Sequence, residues 1–361
     1  MLLAVLGLSA CAATAPDTAL LNGKIFTGDA AQPWAQALAI KGERIVAVGD
    51  TSTIQALAGS GTRRVNLGGR TAVPGLNDAH LALAGATPAS VRVLGAEALA
   101  HGVTSLQVFS TSPVAETVRA FREADLPLRV RILRMPQPDA GGVNRDSRPF
   151  FPPQPTPRID VRGMGFVLGP ADGERLRQAV GWAYGSEDPL AIASLDATAT
   201  AAYLAAMAEH GAADVWKAKR PRFEQPVSMP PEWYSQAASI GAVVVQAPRA
   251  GAPLASFLRA GLPLALGSGD AFQGFNAIRL ATMGALGTEA LTVEQALAAY
   301  GYGGALVEFE QKDKGRLVVG ALADLAVLGR DPFSAGEEDL GRIRSVLTMI
   351  GGRPVYDVPR P

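Results

Sequence analysis

The chain of 361 residues holds one cysteine, three histidines, no excess of either charge and no apolar run long enough to cross a bilayer. A single cysteine excludes an internal disulfide, so stability has to come from a packed core. Lysine plus arginine equals aspartate plus glutamate at 33 each, which removes the basic surplus that a nucleic-acid or anionic-membrane partner calls for. The longest uncharged apolar stretch, from Leu2 to Ala15, falls short of the roughly 20 residues that a spanning helix needs. What the chain has is 48% hydrophobic residues, enough for a large core in one or two domains.

The apolar start ends in small residues and the only cysteine, in the order Leu8, Ser9, Ala10, Cys11. That pattern resembles a bacterial lipobox, although no lysine or arginine precedes the run. A buried first helix with a core cysteine is the alternative. The short, small-residue stretch from Ala12 to Asp17 suits a tether after a lipidated Cys11, which predicts a periplasmic lipoprotein held to the membrane through its N-terminal lipid alone. Residues 1–18 are assigned to signal and tether.

Between Ala19 and Val73, short apolar runs are separated by glycines and read as β-hairpins, Leu38 to Val48 among them. Gly315 to Leu328 and Val346 to Tyr356 repeat that style near the C-terminus. Neither set alone covers two sheet faces, so residues 19–71 and 310–361 are expected to form one small sandwich-like β domain. Residues 72–309 alternate strand-like runs with Ala- and Leu-rich helical stretches, the pattern of βα units. Eight strands are expected: 72–80, 103–109, 128–133, 164–168, 190–195, 222–225, 242–246 and 263–267. They predict an α/β fold with a (β/α)₈ barrel of the TIM type. Prolines at 149, 152, 153, 155 and 157 forbid a helix after the third strand and predict an extended flap over 135–160.

Leu21 to Thr27, Val73 to His80 and Gly315 to Leu328 resemble motifs of the amidohydrolase superfamily. Arg220 to Gln225, Leu264 to Ser268 and Gly329 to Phe333 are similar to the amidohydrolase-3 branch, which includes N-substituted formamide deformylases. The resemblance covers nearly the whole chain after the tether. It implies metal-dependent hydrolysis of non-peptide C–N bonds at the C-terminal mouth of the barrel, with one or two divalent ions, usually zinc, activating water. It also implies where the ligands belong: a His-x-His pair on the first strand, a lysine or similar group on the fourth, histidines on the fifth and sixth, and an aspartate on the eighth.

Placed on those positions, the chain keeps His80 but has Ala82 for the second histidine. The fourth strand has Gly165 and no lysine, and Ser194 and Gln225 replace the histidines of the fifth and sixth. On the eighth, the aspartate comes one residue late, as Asp270 after Gly269. His101 and His210 are expected at the opposite, N-terminal face, where a histidine ending a helix has an ordinary dipole partner. Three readings follow. One is a pseudoenzyme that keeps the pocket as a binding site for a small molecule and holds no metal, or one weakly bound divalent ion, zinc before others. A second is an active mononuclear enzyme whose ligands are His80, Asp270 and Asp196, with His80 and Asp270 also the catalytic pair. A third, metal-free acid/base hydrolysis by Asp270 and His80, lacks a nucleophile and an oxyanion hole. His80 itself reads either as a residual ligand or as a histidine bonded beside Asp78, Asp270 as a base or a helix cap, and Glu224 as the ion-pair partner of Arg222.

Overall fold

The computed structural model describes residues 15–134, 138–139, 142–143, 158–168, 173–185, 190–194, 197–226 and 229–358. Cys11, Asp196 and most of the proline-rich stretch lie outside the described residues; within that stretch Pro138–Asp139 pairs antiparallel with Gly142–Val143.

Two sheets made from the chain ends pack on each other. The first contains, in spatial order, Arg44–Gly49, Ala37–Lys41, Thr18–Leu21 and Arg63–Asn66. Its strands alternate strictly: Leu20, Leu38 and Ile40 face the second sheet, while Ala19, Leu21, Ala37 and Ala39 face Ile54 of the helix Thr51–Leu57. Both faces are therefore covered. The second sheet runs Arg353–Asp357, Ser345–Ile350, Leu325–Leu328, Thr71–Pro74, Lys24–Phe26 and Trp34–Ala35, which interleaves strands from both termini. The expected contact between the two ends is present. Ile45 donates to the Ala321 carbonyl at 2.9 Å and accepts from Gly320 at 2.8 Å, and Ala323 donates to Glu43 at 2.8 Å.

The eight parallel strands of the barrel follow one another around the ring: Leu76–Leu83, Val103–Ser110, Arg129–Arg134, Ile159–Leu168, Leu190–Ser194, Arg222–Glu224, Val243–Gln246 and Leu264–Leu266. A bridge between Leu81 and Gly269 closes first strand on eighth, with Ala82 donating to the Gly269 carbonyl at 2.9 Å and Gly269 to that of His80 at 2.8 Å. Helices such as Val114–Ala124, Gly173–Gly185 and Ala197–His210 cover the outside. Val114–Ala124 places Val118 and Phe121 on the sheet and stops where Asp125 turns left-handed at φ 48°.

Two boundaries differ from the sequence reading. The expected first strand, 72–80, is two strands. Thr71–Pro74 belongs to the terminal sheet, and the barrel begins only at Leu76, with Gly75 between them donating to Asp324 at 2.9 Å. A side chain at Gly75 would collide with Thr104, so only glycine lets the chain pass from one layer to the other. The fourth strand starts at Ile159 rather than 164, because Ile159 to Val161 pair with Val130 to Ile132.

Candidate active site

The first barrel strand carries Asp78 and His80, and a bulge between Asp78 and Leu81 breaks its alternation: Asp78 shares a face with Leu106 and meets Ser268 and Tyr300, while His80 turns to Glu224 across the lumen. Asp78 is fully buried and accepts from the Ser268 amide at 2.9 Å, the Ser268 hydroxyl, the Tyr300 hydroxyl at 2.9 Å and the His80 amide at 3.3 Å. Burial raises its pKa above the usual carboxylate range against the pull of these donors. Tyr300 is raised well above its ordinary value by burial and by the Asp78 charge.

His80 turns its ring toward the sixth strand. Its Nδ1 lies 2.7 Å from Glu224 Oε2, and the ring stacks on Phe109 with centroids 4.1 Å apart. The other Glu224 oxygen accepts from Arg222 Nε at 2.6 Å, and both of those side chains are buried. Arg222 then donates to Gln107 Oε1 and to the Ala79 carbonyl, each at 2.6 Å, and Gln107 donates to the Gly304 carbonyl at 2.9 Å. Four side chains on three strands thus form one bonded series from Gln107 through Arg222 and Glu224 to His80. A carboxylate already paired with a guanidinium accepts, so Nδ1 carries the imidazole proton and Nε2 is left as the ring's open position.

The positions named from sequence fall out as follows. Ala82 pairs with Phe109 beyond His80 and brings only a methyl group to that position. Gly165 pairs with Ala191 and Ser194 closes the fifth strand. Gln225 adopts a left-handed backbone at φ 55°, and its carboxamide oxygen accepts from Gln246 Nε2 at 2.7 Å and the Ala247 amide at 2.9 Å. Gly269 is left-handed at φ 79°, with its Cβ direction 3.2 Å from the Ala247 methyl. Asp270 follows it and is exposed. His101 accepts the Phe275 amide at 3.2 Å and His210 Nδ1 bonds the Ala206 carbonyl at 2.9 Å, so both belong to helix ends, away from the His80 group.

A zinc centre needs about four converging donors. Among the described residues, no three His, Cys, Asp or Glu side chains converge in a way that could hold an ion. Asp78, Glu224 and the Gln225 oxygen are each committed to protein donors, which leaves His80 Nε2. These residues do not fit the metal centre that the sequence resemblance implies, and no chemical step is derived through one.

The Arg222–Glu224 pair was legible in the sequence as an i, i+2 pair on one face. The second role of Glu224, and the parts of Ser268, Tyr300 and Gln107, were not. The signal available was alternation on the sixth strand, where Arg222 and Glu224 are an opposite-sign pair on one face; on the first strand the bulge after Asp78 hid the equivalent reading.

Comparison with known proteins places this geometry. The amidohydrolase-3 model, described as Amidohydrolase family, matches residues 88–356. Protein LONG AFTER FAR-RED 3 of Arabidopsis thaliana is 45% identical over 67 residues, which is 19% of this chain and 12% of that protein. Among solved structures, triazine hydrolase from Arthobacter aurescens is 19% identical with a TM-score of 0.72 over 95% of both chains. An adenosine deaminase from Xanthomonas campestris with bound zinc is 17% identical with a TM-score of 0.70, covering 95% of this chain and 93% of that one. A metal-dependent hydrolase from Pyrococcus furiosus is 14% identical with a TM-score of 0.70, covering 88% and 100%. At these identities the solved structures speak to the fold.

Proposed function

This chain belongs to the amidohydrolase family, and from that premise we propose that it is a binding protein derived from a metal-dependent C–N hydrolase. The observation that carries the reading is that Asp78, Arg222 and Glu224 are bonded to protein partners while His80, held at Nδ1 by Glu224, keeps Nε2 open, and among the described residues no three metal-ligating side chains converge. A single imidazole binds zinc weakly, and without an ion an attacking water keeps its pKa near about 15.7. The barrel mouth then receives a small molecule without hydrolysing it, with His80 Nε2 as the acceptor for a ligand N–H or O–H. Cys11 supplies a lipid that keeps the protein on a membrane facing the periplasm.

Protein purified without chelator should carry well under one zinc per chain by elemental analysis and hydrolyse N-formyl or N-acyl amines at background rates. Stoichiometric zinc, with activity abolished by His80→Ala or Asp270→Ala, overturns the reading. It would establish instead the mononuclear enzyme of His80, Asp270 and Asp196. One observation favours that second reading: the Gly269 amide is bonded to the His80 carbonyl at 2.8 Å, which holds Asp270 one residue away from His80's strand. For the anchor, Cys11→Ser should move the protein from the membrane to the soluble fraction, and unchanged fractionation removes the lipid from the proposal.

A further inference from the structure

A cleft of about 500 Å³ lies outside the barrel, between the helix Pro88–Ala100 and the start of the helix Phe275–Thr282, with Arg344 at its rim. Its volume is that of a small-ligand pocket. At its floor is His101, whose side chain is 93% buried by the complement of its 7% exposure. The Phe275 amide donates to His101 Nδ1 at 3.2 Å, so the ring proton sits on Nε2. Burial, followed by the nearby Arg344 charge, pushes this imidazole down to about 4, and it is neutral at pH 7. The Nε2–H borders the cleft, and the nearest carboxylate oxygen, on Glu97, is 3.9 Å away, too far for a hydrogen bond. Among the described residues no acceptor reaches it. The Nε2–H therefore faces the cleft with no acceptor from those residues and is free to bond a ligand that enters it.

Two further features define that partner. Arg344 and Glu97 line the same cleft, yet neither is in an ion pair with the other, and Arg344 is in none with any described residue. The space between them can take both a negative and a positive group. Val93, Leu94 and Phe272 supply an apolar wall; Val93 is 68% exposed on a helix that otherwise buries its large apolar residues, and Phe272 meets the His101 ring edge-on at 5.6 Å. We propose that this cleft binds a small zwitterion, an α-amino acid with an apolar side chain. Its carboxylate bridges the Arg344 guanidinium and the His101 Nε2–H, its ammonium meets Glu97, and its side chain lies on Val93, Leu94 and Phe272. This site is separate from the barrel mouth and does not depend on whether the mouth binds metal or catalyses.

The test uses L-leucine, L-leucinamide and N-acetyl-L-leucine as calorimetric titrants of the full chain. L-leucine should bind saturably at one site, with leucinamide and acetyl-leucine weaker by about tenfold or more, each having lost one charge. Arg344→Gln and Glu97→Gln should each weaken leucine by a similar factor with unchanged circular dichroism. His80→Ala should leave the affinity as it was. Nitrogen NMR of His101 supplies a second readout, in which leucine shifts the Nε2–H resonance downfield. No saturable leucine binding up to about 10 mM overturns the proposal. So does binding that survives Arg344→Gln unchanged, or binding lost with His80→Ala, since that locates the amino acid in the mouth.

Discussion

Around Arg222 each guanidinium nitrogen has an acceptor at 2.6 Å, and around Asp78 four donors converge on one carboxylate. A few residues further along the same strands, at Ala82, Gln225 and Gly269, the side chains are a methyl group, an amide turned to its neighbours, and none at all. The inner band holds charges whose loss would unbalance the core. The rim holds residues whose replacement costs the fold far less. The polar scaffold of the inner band and the positions expected to bind metal thus draw on different residues.

The largest expected effect tests the inner band. Glu224→Ala leaves Arg222 as an uncompensated buried charge and should cost about 3–5 kcal/mol in urea unfolding. Replacing both Arg222 and Glu224 by leucine should restore most of that loss, and a single substitution that costs under about 1 kcal/mol would erase the contrast between the bands.

Next is a pH effect outside both bands. His101 falls from 6.5 to about 4 on folding, so between those values the unfolded chain binds more protons. Its contribution is present above pH 6.5 and is lost as pH falls toward 4, by up to about 3 kcal/mol. His101→Gln should flatten the stability difference between pH 7 and pH 4.5 by a measurable part of that amount.

The rim is sharpened by restoring ligands. Ala82→His combined with Gln225→His should tighten zinc binding by about tenfold or more in competition with a chromophoric chelator. Adding Gly269→Asp should contribute little, since the position is left-handed at φ 79° and a Cβ there presses on Ala247. The smallest effect belongs to Gln225→Ala, about 1 kcal/mol for the lost bonds to Gln246 and Ala247.

The sequence carried most of the architecture because its signals were local. Period-two runs and Ala- and Leu-rich stretches place a strand such as Val103–Ser110 and a helix such as Val114–Ala124 within a residue of where they fold. The split at Gly75 was invisible, since Thr71 to Leu83 is one continuous strand-like run whose two halves are separated by the need to clear Thr104. At the site, the positions where metal ligands were expected could be read one by one. The bond from His80 to Glu224 could not, because it spans 144 positions and depends on which side chains face each other across the lumen.

The interleaved terminal sheet sets a timetable for synthesis. Thr18–Leu21, Ala37–Lys41, Arg44–Gly49 and Arg63–Asn66 pair with one another, so the body of that sheet can form as soon as it leaves the ribosome, and only the edge at Arg44 and Ile45 awaits residues 320–322. Thr71–Pro74 instead waits for Leu325–Leu328, a gap that takes roughly tens of seconds to translate at about 5–20 residues per second. Throughout that interval one of its edges is an unpaired template, open to any other nascent strand. The slowest and most aggregation-exposed step of this chain's maturation is therefore the arrival of its last forty residues, and a ribosome stalled inside the barrel would leave that edge bare.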